Sequence, residues 1–126
     1  MKKKIPRIAE SEWRIMQVLW ENGPQTANDV VMALSGVVKW KPRTIKTLIS
    51  RLVKKGAVKF TEEGNRYRYC ATVKESDCIY SETKTFFKRI YQGSMNPALA
   101  AFLEDADLSI KEIDALQEIL EQKRKG

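Results

Sequence analysis

Apolar residues recur at helical spacing along most of the chain and give way to strict alternation only once. Residues 9–22 carry two apolar stripes, Ile15/Val18/Leu19 and Trp13/Met16/Trp20, which predict a helix. It stops at Gly23-Pro24, where proline cannot continue it. Thr26 followed by Asp29 is a short-acid version of the capping box and opens a second helix over 27–34, with Val30, Val31 and Leu34 as its apolar face. Ser35-Gly36 ends that helix, and residues 37–40 (VVKW) read as a small strand. Pro42 stands where a first helical residue belongs, because its ring pre-sets the helical φ and the N–H it lacks is dispensable there. Ile45, Leu48, Ile49 and Leu52 then follow the i, i+3, i+4, i+7 rule, Val53 widens the stripe, and Gly56 supplies the residue after the helix.

The alternating stretch comes next. Residues 57–61 (AVKFT) and 66–70 (RYRYC) flank a Gly64-Asn65 turn and predict a β-hairpin. The order helix, helix, short strand, helix, hairpin is that of a winged helix-turn-helix. Everything after it reads as helix. Thr72 with Glu75 has the spacing of a capping box for a helix whose apolar face is Ile79, Thr83, Phe86, Phe87, Ile90 and Tyr91, ending near Gly93. Asn96-Pro97 opens a shorter helix with Leu99, Phe102 and Leu103. Ser109 with Glu112 caps the last one, striped by Ile113, Leu116, Ile119 and Leu120, with residues 123–126 expected to fray. The fold class expected is therefore mostly α with a small β-hairpin wing: a winged helix-turn-helix domain over 1–72 and a C-terminal helical dimerisation domain over 73–126.

Charge sharpens this division. The chain of 126 residues has a net charge of +7. Residues 1–72 hold 15 Lys/Arg against 6 Asp/Glu, or +9; residues 73–126 hold 8 against 10, or −2. A basic half fits a polyanion and a mildly acidic half fits protein. Between Lys39 and Lys55 there are seven Lys and Arg and no acid at all. A solvated helix face needs charge but normally mixes its signs and pairs Glu with Lys at i, i+4. A face of one sign beside a hairpin points to nucleic acid. The lysines at 2–4 read as a solvated terminus rather than as a cationic arm.

Several classes are disfavoured. The chain contains no His, which removes the commonest general base and any Ser-His or Cys-His nucleophile pair, so no enzyme activity and no catalytic residue is expected. Cys70 and Cys78 lack a metal-site spacing, so neither metal nor cofactor is expected. No apolar run approaches the ~20 residues of a membrane span, and the basic N-terminus lacks the apolar core of a signal peptide. A cytoplasmic protein with free thiols and no membrane insertion is the expectation.

The helix at 42–55 turns Arg43, Thr44, Lys46, Thr47, Ser50, Arg51 and Lys54 away from its apolar stripe. A B-DNA major groove admits one helix, and early residues of a recognition helix reach base edges while later cations hold phosphates. Arg43, Thr44, Lys46 and Thr47 are assigned to base edges of double-stranded operator DNA. Ser50, Arg51 and Lys54, with Asn65, Arg66 and Arg68 of the wing, are assigned to phosphate. The C-terminal helices are too small to close a large core alone, and a two-fold homodimer would supply the missing partner. Leu99, Phe102, Leu103, Leu108, Ile113, Leu116 and Leu120 are the interface candidates; the alternative is that they pack back on the winged helix. Two further readings compete with sequence-specific DNA binding. One is a protein-interaction module that uses the winged helix for docking; the other is a non-specific nucleic-acid binder.

The blocks AESEWRIMQVLWENGPQTANDVV, KWKPRTIKTLISRLVKKGAV, NRYRYCATV and SIKEIDALQEIL resemble the penicillinase-repressor and methicillin-resistance-repressor family of BlaI/MecI type, over nearly the whole chain. The resemblance implies a dimeric transcriptional repressor of β-lactam resistance genes. Such a repressor binds a palindromic operator and is inactivated when a sensor-peptidase system leads to cleavage in the dimerisation domain. Penicillinase-type members are cut at an Asn-Phe bond. The matching bond here is Ala101-Phe102, with Phe kept and Ala in place of Asn. The copper-responsive branch carries a C-x-C-x4-C-x-C motif that this tail, EILEQKRKG, lacks.

Overall fold

The computed structural model describes residues 5–91 and 96–126, apart from the side chains of Tyr91 and Asn96. The lysines at 2–4 and the helix end expected near Gly93 lie outside the described residues. Helix α1 (Glu10–Asn22) is followed by a two-residue strand β1 (Gln25–Thr26), α2 (Ala27–Leu34) and α3 (Pro42–Lys55). The hairpin β2 (Val58–Glu63) and β3 (Arg66–Ala71) precedes α4 (Glu75–Tyr91), α5 (Asn96–Asp105) and α6 (Ile110–Lys125). No helix among the described residues is long and apolar enough to cross a membrane.

Helices α1, α2 and α3 meet on their apolar stripes. Ile15, Met16, Val18 and Leu19 of α1, Val30 and Leu34 of α2, and Ile45, Leu48, Ile49 and Leu52 of α3 form one buried cluster with Ala57 and Val58. Trp13 and Trp20 pack against it edge to face, 5.5 Å apart, and the Trp20 indole N–H donates to the Val73 carbonyl at 2.9 Å. That bond ties α1 to the chain leaving the wing.

The sheet has the order β1-β3-β2, antiparallel throughout. Its third strand is not the expected one. Residues 37–40 form no strand; an isolated bridge joins Ser35 to Val38, and Val38 and Trp40 turn partly into the core instead. The edge is provided by Gln25–Thr26, which pairs with Tyr69 and Arg68. The hairpin is also tighter than its apolar alternation suggests. Strands run on to the pair Glu63↔Arg66, leaving only Gly64-Asn65 as the turn, with Gly64 at φ 62°.

Thr72 does not cap α4. Its hydroxyl donates to the Gly56 carbonyl and its N–H to the Ala57 carbonyl, so it closes the wing onto the end of α3, and the helix opens at Glu75. The first compact unit extends to Thr85; α4 contributes buried Cys78 to its core, and Glu82 accepts from the Ile8 N–H at 3.5 Å. Burial, and to a lesser degree Asp77 and Glu82, pushes the Cys78 thiol up, which keeps it protonated and inert.

The second unit begins at Phe86. Ser109 and Glu112 form the expected reciprocal cap of α6, each backbone N–H donating to the other's side chain at 3.1 Å. Helix α6 runs through Lys125, with Lys123, Arg124 and Lys125 at the negative end of its dipole. None of its side chains is buried.

Candidate nucleic-acid interface

Helix α3 separates its two faces completely. Lys41 precedes it, Pro42 takes the first helical position, and Gly56 ends it in the left-handed region at φ 85°, a conformation other residues adopt only at a cost. Ile45, Leu48, Ile49 and Leu52 are at most 5% exposed, while Arg43, Thr44, Lys46, Thr47, Ser50, Arg51 and Lys54 are all exposed. With 3.6 residues per turn, Thr47 lies opposite the buried Ile45 and Ile49, at the crest of the outward face. A shallow depression of about 420 Å³ runs along that crest, lined by Arg43, Lys46, Thr47 and Ser50.

A second cleft, about 330 Å³, lies between α3, the start of α2 and the wing. Its lining includes Lys46, Arg66, Asn28, Asp29, Tyr67 and Tyr69. Lys46 therefore borders both depressions and joins the crest to the wing. Asn28 and Tyr67 escaped the sequence reading. Alternation alone could have singled out Tyr67, because Phe60, Tyr67 and Tyr69 share one face of the hairpin, with Phe60 4.8 Å from Tyr67 and 5.9 Å from Tyr69.

The cations assigned to the wing differ in what holds them. Arg66 borders the cleft, and Asn65 is exposed in the turn. Arg68 donates from Nε to Glu63 at 2.8 Å, so part of its charge is neutralised within the hairpin. Asp29 is the acid of the cleft, and its carboxylate is occupied by the cap. It accepts the Thr26 N–H at 3.0 Å, while Thr26 Oγ1 accepts the Asp29 N–H at 3.1 Å. The Thr26 N–H and then the Thr26 hydroxyl hold its pKa below the ordinary carboxylate value, with smaller help from Arg68 and Arg66. At the far end of α3, Lys55 turns away from this surface to Glu12 and to the Arg7 carbonyl.

A helix-turn-helix backed by a β wing, presenting an acid-free cationic crest, defines a winged-helix DNA-binding protein. Residues 8–122 match the penicillinase repressor family, and the chain belongs to that family. It is 39% identical over 120 residues to the penicillinase repressor of Bacillus licheniformis, covering 95% of this chain and 94% of that one. It is 35% identical over 123 residues to the methicillin resistance regulatory protein MecI of Staphylococcus aureus strain N315, covering 98% and 100%. Among solved structures, the monomeric form of Bacillus licheniformis BlaI in complex with the blaP half-operator matches with a TM-score of 0.53 at 39% identity, over 60% of this chain and 93% of that one.

Proposed function

We propose that the chain is a sequence-specific transcriptional repressor that binds a palindromic operator as a homodimer. The observation that carries this reading is the exposed α3 face, which has cations and hydroxyls on every outward position and no acid. The BlaI structure with a half-operator supports it, because that relative matches 60% of this chain at 39% identity. In this reading Arg43, Thr44, Lys46 and Thr47 meet base edges. Ser50, Arg51, Lys54, Asn65 and Arg66 hold phosphate, and Arg68 contributes what Glu63 leaves free.

The second unit supports pairing of two copies. Leu99, Phe102, Leu103, Ile113, Leu116 and Leu120 are all exposed in the single chain, and Leu108 is half-buried. A symmetric partner would cover these apolar faces and link two reading heads to a two-fold site. The regulated genes, on the analogy of the named relatives, control β-lactam resistance. Release follows from a sensor-peptidase system that leads to cleavage at Ala101-Phe102. That bond lies within α5 with both residues exposed, and cutting it would part α6 from the DNA-binding half.

A mobility-shift titration with competitor DNA and a salt series tests the reading. A specific repressor binds its site ~10³-fold or more tighter than random duplex. Equal affinity for all duplexes would identify a non-specific binder. Little affinity, with no salt slope, would identify a docking module.

A further inference from the structure

Every side chain on the outward face of α3 that carries charge is a donor. Arg and Lys have no acceptor. The helix, PRTIKTLISRLVKK, contains no Asp, Glu, Asn or Gln. Its only outward side-chain acceptors are therefore the hydroxyls of Thr44, Thr47 and Ser50. Thr47 and Thr44 differ in position and in their bonds to the helix backbone.

Thr47 stands at the crest, opposite the buried stripe, in the depression bordered by Arg43, Lys46 and Ser50. Its hydroxyl donates to the carbonyl of Arg43, one turn back, at 3.0 Å. This is the usual inward bond of a helical threonine. Thr44 makes no such bond to the described residues, because the carbonyl one turn behind it belongs to Trp40, before the helix. While that bond is kept, Thr47 turns an oxygen lone pair and a methyl group outward.

We infer that Thr47 is a specificity-determining residue that reads an exocyclic amino group, and that the base pair it selects is A·T. The inference rests on the operator-binding reading above. In the major groove the donors are the amino groups of adenine and cytosine, and the only methyl is that of thymine. An A·T pair offers an amino group and a methyl together, matching both outward features of Thr47. The keto oxygens of guanine and thymine and the N7 of either purine would face its lone pair without a proton between them. The donors Arg43 and Lys46, both on the N-terminal side of Thr47, suit those acceptor edges.

The test uses the full chain and a randomised duplex library. Wild type, Thr47→Val and Thr47→Ser are each carried through selection, and the enriched sites are compared. Thr47→Val keeps the shape and methyl but removes the acceptor. It should lose preference at one position of each half-site, by about tenfold, with every other position unchanged. Thr47→Ser should keep the amino preference there and lose the preference for thymine's methyl. A second arm leaves the protein intact. In the site wild type selects, each adenine is replaced in turn by purine, which lacks the amino group. One replacement per half-site should weaken wild type about tenfold and leave Thr47→Val unaffected. The inference is overturned if no amino deletion weakens wild type, or if the position freed by Thr47→Val selects a keto edge. If wild type enriches no sequence at all, it is the repressor reading that fails.

Discussion

Lys55, the last residue of the recognition helix, places its ammonium on the carboxylate of Glu12, a first-turn side chain of α1 that is only 2% exposed. The same ammonium donates to the Arg7 carbonyl at 3.0 Å, and Glu12 also accepts the Ala9 N–H at 2.8 Å. One of the seven cations between Lys39 and Lys55 is thereby structural. Lys55→Ala would leave a buried carboxylate with a single backbone donor. Its unfolding free energy should fall by about 1–3 kcal/mol, with Lys55 partly exposed and the loss correspondingly below that of a fully buried pair. Urea unfolding at an unchanged m-value checks this.

Lys46→Ala should relax sequence choice at one operator position at a cost of ~1–3 kcal/mol. Arg51→Ala should instead weaken all sequences alike and lower the slope of affinity against salt by about one. Titrations against an operator and its single-base variants at several salt concentrations separate the two. A uniform loss for Lys46→Ala would refute the division between base and phosphate contacts.

Acid should destabilise the cap of α2. Because Asp29 is held below its ordinary value in the folded chain, its contribution is complete above about pH 4 and disappears as pH falls through the lower folded value. Glu112, lowered first by the Ser109 N–H, behaves the same way at α6. Thr26→Ala should cost about 1 kcal/mol at neutral pH. Thermal unfolding across pH 2–6 should show a shallower acid limb for Asp29→Asn than for wild type.

The spacing of Pro42, the apolar stripe and Gly56 made α3 legible because all three signals are local. The same is true of the Ser109–Glu112 cap. Strand β1 was not legible: two residues make a strand only through Tyr69 and Arg68, more than forty positions away. Thr72 had the right spacing to cap α4 and lost to a distant partner, the Gly56 carbonyl. Lys55 read only as one of seven cations in an acid-free stretch, since nothing near it in sequence announces Glu12. Of the site, the crest was visible from periodicity, whereas the cleft that gathers Asn28, Lys46, Arg66 and Tyr67 exists only once three elements meet.

Leu116→Glu should convert a dimer to monomers in sedimentation and weaken operator binding by ~10²-fold or more, since linkage of two heads is lost without any change in either. A variant that stays dimeric would place the interface elsewhere.

Cleavage at Ala101-Phe102 has a direct readout. Mass spectrometry of the chain from β-lactam-treated host cells should show a fragment beginning at Phe102. An intact chain in induced cells would remove proteolysis at this bond from the mechanism.

Helix α6 is well capped yet buries none of its own side chains. A solitary helix of that length is marginal in water. If two copies supply each other's missing cover, the order of the tail becomes a measure of abundance. A growing cell that dilutes this protein would then loosen its own switch before any signal arrives.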